Sequence, residues 1–326
     1  MKIKREILHD LQQWKERKNR KPLLLKGARQ IGKTWVMREF GKANFEFIAE
    51  FNFDKTTELA DIFRKTKDTK RIINDLSLFT DVPIVAGKTL IIFDEIQSCE
   101  GALNSLKYFY EDAPEYHIIG AGSLLGVAVR NKQMSVPVGK IEIKTIFPIT
   151  FKEFLQSSDN KTYQYIDTLD AIAALPEIIK NKLEEHYRRY LICGGMPEAL
   201  VSLLNNEGMQ AVEDKLQYIL DLYTLDFSKY ASPAEIHRIR NLWNSLPSQL
   251  AKENRKFIYR VVKTGARARE YEDALLWLEE AGLIHRVYNV SKPGIPLSAY
   301  RELTAFKVYA SDCGLLRRMA KLSPEV

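Results

Sequence analysis

Gly27-Ala28-Arg29-Gln30-Ile31-Gly32-Lys33-Thr34 follows the pattern G-x-x-x-x-G-K-[ST]. Its glycines let successive backbone N–H groups converge on one point, and a helix opening there adds its positive end, so the segment is suited to cradle phosphates. Lys33 would set its ammonium against the β and γ oxygens, and the Thr34 hydroxyl would complete a magnesium shell. Farther on, Leu90-Ile91-Ile92-Phe93 delivers Asp94 and Glu95 to the end of an apolar strand. Paired acids in such a place are costly without a purpose. Asp94 is expected to hold Mg²⁺ through water, and Glu95 to polarise an attacking water as general base, the step that separates hydrolysis from binding.

The elements that must position these residues are legible around them. LLLK at 23–26 stops at Gly27, and TWVMREF follows Lys33, which reads as strand, glycine loop, helix. Further strands are expected at 45–53, 89–95, 115–122 and 141–147, with helical patterns between, so the fold class is α/β with a parallel five-stranded sheet flanked by helices. After Pro148 the strand signals cease and residues 149–230 read as helical. Residues 231–326 carry two longer helical patterns, the second ending at Gly282, then strands at 283–290 and 306–311 around SKPGIP, an order that suggests a winged helix. The expected divisions are thus 1–148, 149–230 and 231–326.

The chain has 326 residues, 45% hydrophobic and 28% charged, with 49 Lys plus Arg against 42 Asp plus Glu. This composition excludes a disordered or fibrous protein. No apolar run approaches a membrane span, and the N-terminus is not that of a signal peptide, so no membrane contact and a cytoplasmic location are expected. Residues 1–33 carry eleven basic and three acidic side chains, leaving 38 against 39 elsewhere, so the net charge of +7 belongs to the N-terminus. Its run of Lys15, Arg17, Lys18, Arg20 and Lys21 reads either as a contact for nucleic acid phosphates or as a solvated helix end. Cys99, Cys193 and Cys313 are too far apart for a CxxC pair and read as buried thiols, and the five histidines show no ligand spacing.

In order along the chain stand the phosphate loop, DEIQ at 94–97, GSLLG at 122–126, VPVGK at 136–140, FPITFKEFL at 147–155, CGGMPEAL at 193–200, DLYTLDFSKY at 221–230 and GARAREYEDALLWLEEAGLI at 265–284. In these the chain resembles prokaryotic AAA-type ATPases over nearly its whole length. The resemblance implies an AAA core with Walker A and Walker B segments, a helical lid and a winged-helix-like C-terminal part. It also implies ATP and Mg²⁺ as ligands, Gly27 through Trp35 as the nucleotide-binding segment, and a homo-oligomer or protein partner. Ser123 looks like the polar sensor of the γ-phosphate or attacking water, the alternative being a helix N-cap. Arg130 and Lys140 are the cations nearest the place of an arginine finger, although Lys cannot reproduce the planar guanidinium fork.

Other chemistries fit less well. Asn131-Lys132 and Asn181-Lys182 lack the Asp of a guanine-reading N-K-x-D, and an LSGGQ-like transporter signature is missing. Glu142 and Lys144 imitate the E-x-K end of a nuclease site, which strand alternation explains as well. Relatives commonly continue past the segment matching Lys307 to Leu315 into a nuclease-like domain, whereas this chain stops at Val326, so no cleavage is expected from the residues present. The winged-helix reading implies DNA contact, yet helix 266–281 sets Arg267 and Arg269 against Glu270, Glu272, Asp273, Glu279 and Glu280. Lys256, Arg260, Lys263 and Arg286 lie nearby, and a winged helix used for protein packing is the alternative. Two functions follow: an ATPase whose nucleotide state switches conformation, or a nucleotide-gated binding or regulatory module with little turnover.

Overall fold

The computed structural model describes residues 3–130, 137, 139–169, 175–231, 233–251 and 256–324. The chain divides into two compact units, one of residues Arg5–Ile146 and the other joining Met1–Lys4 to Phe147–Val326. The first unit ends at Ile146, and the helices after it share one unit with the C-terminal hairpin.

In the first unit the apolar runs become β1 (Leu23–Lys26), β2 (Phe47–Asn52), β3 (Thr89–Asp94), β4 (His117–Gly122) and β5 (Glu142–Thr145). They pair in parallel in the order β2-β3-β4-β1-β5. Every residue of β3 and β4 is buried, as expected of strands covered on both faces, which is why they read as unbroken apolar runs. Helices α1 (Ile7–Glu16), α2 (Lys33–Asn44), α3 (Leu59–Lys65), α4 (Thr69–Ser77), α5 (Glu100–Asp112) and α6 (Leu125–Arg130) complete the unit. Phe53, Phe63 and Phe93 meet edge to face in its core. Because β1 lies between β4 and β5, the chain leaves it for the far edge of the sheet, and the strand ends at that reversal form the crevice where α/β sheets bind ligands.

The basic N-terminal run is mostly taken up by its own unit. Lys15 donates to the Asn44 carbonyl at 2.7 Å and stands over the Phe45 ring. Arg20 donates to the Pro114 carbonyl at 2.7 Å, and Arg17 pairs with Glu142 at 2.8 Å. All three therefore have partners within their own unit, with Arg17 still exposed. Glu142 being bound to Arg17, and Lys144 to Asp10 at 2.9 Å, the E-x-K pattern is a pair of ties from β5 to α1 and its cap. Among the described residues no group of three or more Asp, Glu, His or Cys side chains is placed to hold a metal ion.

His117 is buried against Phe45 and Trp14, and desolvation, with the charges of Arg20 and Lys15, lowers its pKa from 6.5 to about 4. The imidazole is therefore neutral in the fold while the unfolded chain takes up a proton near pH 6.5, so stability is present above that pH and is lost as pH falls toward 4. At about 1.4 kcal/mol per pKa unit, the full loss approaches ~3 kcal/mol. Thermal unfolding followed from pH 7 to 4.5 should show a steeper fall for the wild type than for His117→Phe; equal slopes would contradict the assignment.

The second unit contains α7 (Phe151–Ser158), α8 (Asn160–Asp167), α9 (Glu177–Cys193), α10 (Pro197–Leu204), α11 (Met209–Tyr230), α12 (Pro233–Ala251), α13 (Tyr259–Val262) and α14 (Ala268–Glu280). The antiparallel strands β6 (Ile284–Val290) and β7 (Arg301–Ala310) and helix α15 (Cys313–Met319) follow. Thr150 and Glu153 form a reciprocal capping box that starts α7. Trp243, Trp277 and Phe227 stack edge to face where α11, α12 and α14 meet. The Cys193-Gly194-Gly195 segment is explained by close approach: Asp312, fully buried, accepts from the Gly195 N–H at 2.6 Å and caps α15 through Leu315 N at 2.8 Å. A Cβ on Gly195 would come within 2.0 Å of the Ile149 carbonyl oxygen. All three cysteines are free, and Cys313 is half-buried rather than buried. No helix among the described residues is long and apolar enough to cross a membrane.

Candidate nucleotide site

The site is built at the carboxyl ends of β1, β3 and β4. After Lys26 the chain turns through Gly27, with φ 148°, where a Cβ would lie 2.3 Å from the Ile146 carbonyl oxygen. Ala28 and Ile31 are buried, Arg29 and Gln30 half-buried, and Gly32 enters α2 with φ 86°. Lys33 is 8% exposed; its ammonium donates to the carbonyls of Gly27 at 2.9 Å and Ala28 at 2.7 Å, so the cation is held within the loop it follows. Trp35 stands exposed on the first turn of α2, and its assignment to the nucleotide rests on sequence position alone.

Thr34 Oγ1 donates to the Asp94 carboxylate at 3.1 and 3.3 Å, which brings the two expected magnesium-associated side chains together across 60 residues of sequence. Asn52, at the end of β2, donates to Asp94 Oδ2 at 3.3 Å. Burial pushes the Asp94 carboxyl above its usual range, and the adjacent Glu95 charge adds to the shift, partly opposed by the Thr34 hydrogen bond. A hydroxyl beside a desolvated carboxylate is a hard oxygen donor set of the kind Mg²⁺ takes. Glu95 follows with φ 51°, in the left-handed region, which turns its side chain out of the strand line; its Oε2 accepts from Gln97 Nε2 at 2.5 Å and from Ser123 Oγ at 3.3 Å. Gln30 and Glu95 are two of four non-glycine residues with positive φ among those described, and strain of this sort concentrates at functional sites.

A stability consequence attaches to Asp94. Its raised pKa means that the ionised form is penalised in the fold, so its contribution is favourable below the unfolded pKa and is lost as pH rises through the folded one. At pH 7.5, without nucleotide or divalent cation, Asp94→Asn should therefore melt higher than the wild type, by about 2–4 °C. Calorimetry showing a lower melting temperature would contradict this.

Of the arginine-finger candidates, Lys140 is tied to Glu111 at 2.8 Å and lies over the Tyr110 ring, and the Arg130 side chain is outside the described residues. Sequence reasoning passed over Asn52, Gln97 and Arg5. Buried Arg5 donates to the Ile31 carbonyl at 3.1 Å and so fixes the phosphate loop from a position 26 residues away. A polar residue ending a strand beside β3 was the signal available for Asn52; Arg5 had none.

Residues 19–155 match the family described as an AAA domain, and residues 184–326 match a domain of unknown function (DUF8612). No curated protein matches the chain. Among solved structures, the Walker-type ATPase paby2304 of Pyrococcus abyssi is similar at 18% identity and TM-score 0.56, over 98% of this chain and 96% of that one. Looser similarities include the RuvB Holliday junction branch migration motor of Thermotoga maritima, with 15% identity, 87% and 90% coverage and TM-score 0.33. AMPPCP-bound DnaA of Aquifex aeolicus shows 14% identity, 83% and 86% coverage and TM-score 0.33. The parallel sheet, its strand order and the family match together define an AAA-type P-loop domain. The C-terminal part is mainly helical, with a two-stranded hairpin before its last helix.

Proposed function

We propose that the chain binds ATP with Mg²⁺ at this loop, hydrolyses it, and uses the nucleotide state as a conformational switch. The observation that carries the reading is the hydrogen bond from Thr34 to Asp94, which joins the Lys33-Thr34 segment after β1 to the Asp94-Glu95 segment at the end of β3, with β4 lying between the two strands. Thr34 and Asp94 would hold the metal, which when bound supplies positive charge against the phosphate oxygens. The loop N–H groups and Lys33 bind and orient the triphosphate; Glu95 takes the proton of the attacking water; Ser123, donating to the same carboxylate, helps to place it. Besides that proton transfer, the protein's contribution in phosphoryl chemistry of this type is positioning and charge neutralisation.

Equilibrium titration with labelled ATP tests the binding half. Lys33→Ala removes a charged hydrogen bond to phosphate, so affinity should fall by about 10–100-fold. Wild-type binding that is absent, or unchanged in Lys33→Ala, would overturn the reading.

The second reading, a nucleotide-gated module associated with DNA, is favoured by one surface. Lys256, Arg260, Lys263, Arg267 and Arg269 are all exposed, and no acidic residue lies between 256 and 269. Arg286 does not join them, because it is held by Glu272 and Glu279 at 2.6 and 2.7 Å. The succession α12, α13, α14 and the β6–β7 hairpin supports the winged-helix reading, and this basic stretch lies before and at the start of α14. Binding of a labelled duplex that weakens steeply with salt, with a smaller slope in Arg267→Ala/Arg269→Ala, would support it; salt-independent or absent binding would not.

A further inference from the structure

Glu95 is held by a residue that the proposed chemistry leaves without a role. β3 ends at Asp94, and a single 3-10 turn, Ile96–Ser98, carries Gln97 back over the carboxylate. The turn is pinned on both sides of Gln97: Ile96 is fully buried, Ser98 N donates to the Glu95 carbonyl at 2.9 Å, and Ser98 Oγ donates to Asp54 at 2.7 Å. Gln97 Nε2 then reaches Glu95 Oε2 at 2.5 Å. The other end of the amide, Oε1, is buried without a hydrogen-bond partner among the described residues and lies against Gly122, where an added Cβ would be only 2.2 Å from it. Turning the amide over would put Oε1 against the carboxylate, so the donor assignment follows from charge.

An orphaned buried acceptor is a cost that folded proteins seldom retain without cause. A neutral amide fits the need: it fixes a carboxylate in one orientation without adding a positive charge that would compete for its electrons. We propose that Gln97 is a positioning residue for Glu95, and that Gly122 is required because only a residue without Cβ lets the amide lie in place. Gln97 and Ser123 then fix one carboxylate oxygen from two sides, and the other is left for the water. This rests on the proposed hydrolysis and adds to it a residue and a packing requirement.

Gln97→Met keeps the length of the side chain and removes both polar ends. Steady-state ATP hydrolysis should show kcat reduced by about 10–100-fold, the range for loss of an orienting partner, with KM for ATP unchanged. Gly122→Ala should show the same split, and the two losses should not add in the double variant. In a Glu95→Gln background, Gln97→Met should have no further effect. Melting temperatures separate the role from simple unfolding, since Gln97→Met loses the orphaned acceptor and should melt no lower than the wild type. Turnover in the wild type with unchanged kcat in Gln97→Met, a rise in KM in place of the fall in kcat, or additive losses would overturn the positioning role while leaving the ATPase reading intact. No wild-type turnover despite bound ATP would overturn both.

Discussion

Glu95→Gln is expected to reduce ATP turnover by about 10²–10⁴-fold, the span attributed to a positioned general base, while ATP affinity stays within a few-fold of wild type. The substitution is nearly isosteric and keeps an acceptor for the Gln97 and Ser123 donors, so the turn after β3 should survive. What it removes is the capacity to take a proton from water. It also removes the like charge that raises the Asp94 pKa, so metal-dependent nucleotide binding should persist or strengthen. Turnover and binding measured on the same preparation check both halves. A variant that binds and still turns over at the wild-type rate would remove Glu95 from the mechanism.

The largest effect on stability is expected in the other compact unit, at Arg317. Its guanidinium is 9% exposed and is shared among the Ile192 carbonyl at 2.9 Å, the Leu322 carbonyl at 2.6 Å and the Glu213 carboxylate. Arg318 gives Glu213 a second cation at 3.3 Å. Arg317→Met would leave a buried carboxylate short of its main partner and two carbonyls without this donor, a loss of about 3–5 kcal/mol. Replacing both members, Glu213→Leu with Arg317→Met, should recover much of it, because the penalty lies in the uncompensated charge. Hydrogen exchange in peptides from α9, α11 and α15 reads this unit without requiring the whole chain to unfold in one step. Protection unchanged in the single variant would show that the pair contributes little.

How much of this was legible depended on whether the determining contacts were local. β1, β3 and β4 stood out because strands buried on both faces leave apolar runs, whereas β2 and β5, the half-buried edges, were read from apolar residues alternating with polar ones. The phosphate loop and the Asp94-Glu95 pair stood out because backbone geometry and charge placement force particular residue types at fixed spacing. β7 was read only from 306 but begins at Arg301; its first half is largely exposed, and the bulge between Tyr288 and Asn289 shifts the pairing there, so no alternation signalled it. Lys15, Arg17 and Arg20 looked like a basic run because the carbonyls and carboxylate that take them lie 29, 125 and 94 residues away. Arg5, Asn52 and Asp312 were missed for the same reason, each acting on a segment distant in sequence.

The central claim is tested most directly by following phosphate release from ATP by the purified wild-type chain, with Mg²⁺ and with EDTA, beside Lys33→Ala. The account predicts release that requires Mg²⁺ and disappears in Lys33→Ala. Bound ATP with no release above background in Mg²⁺, or release that Lys33→Ala leaves unchanged, would contradict it.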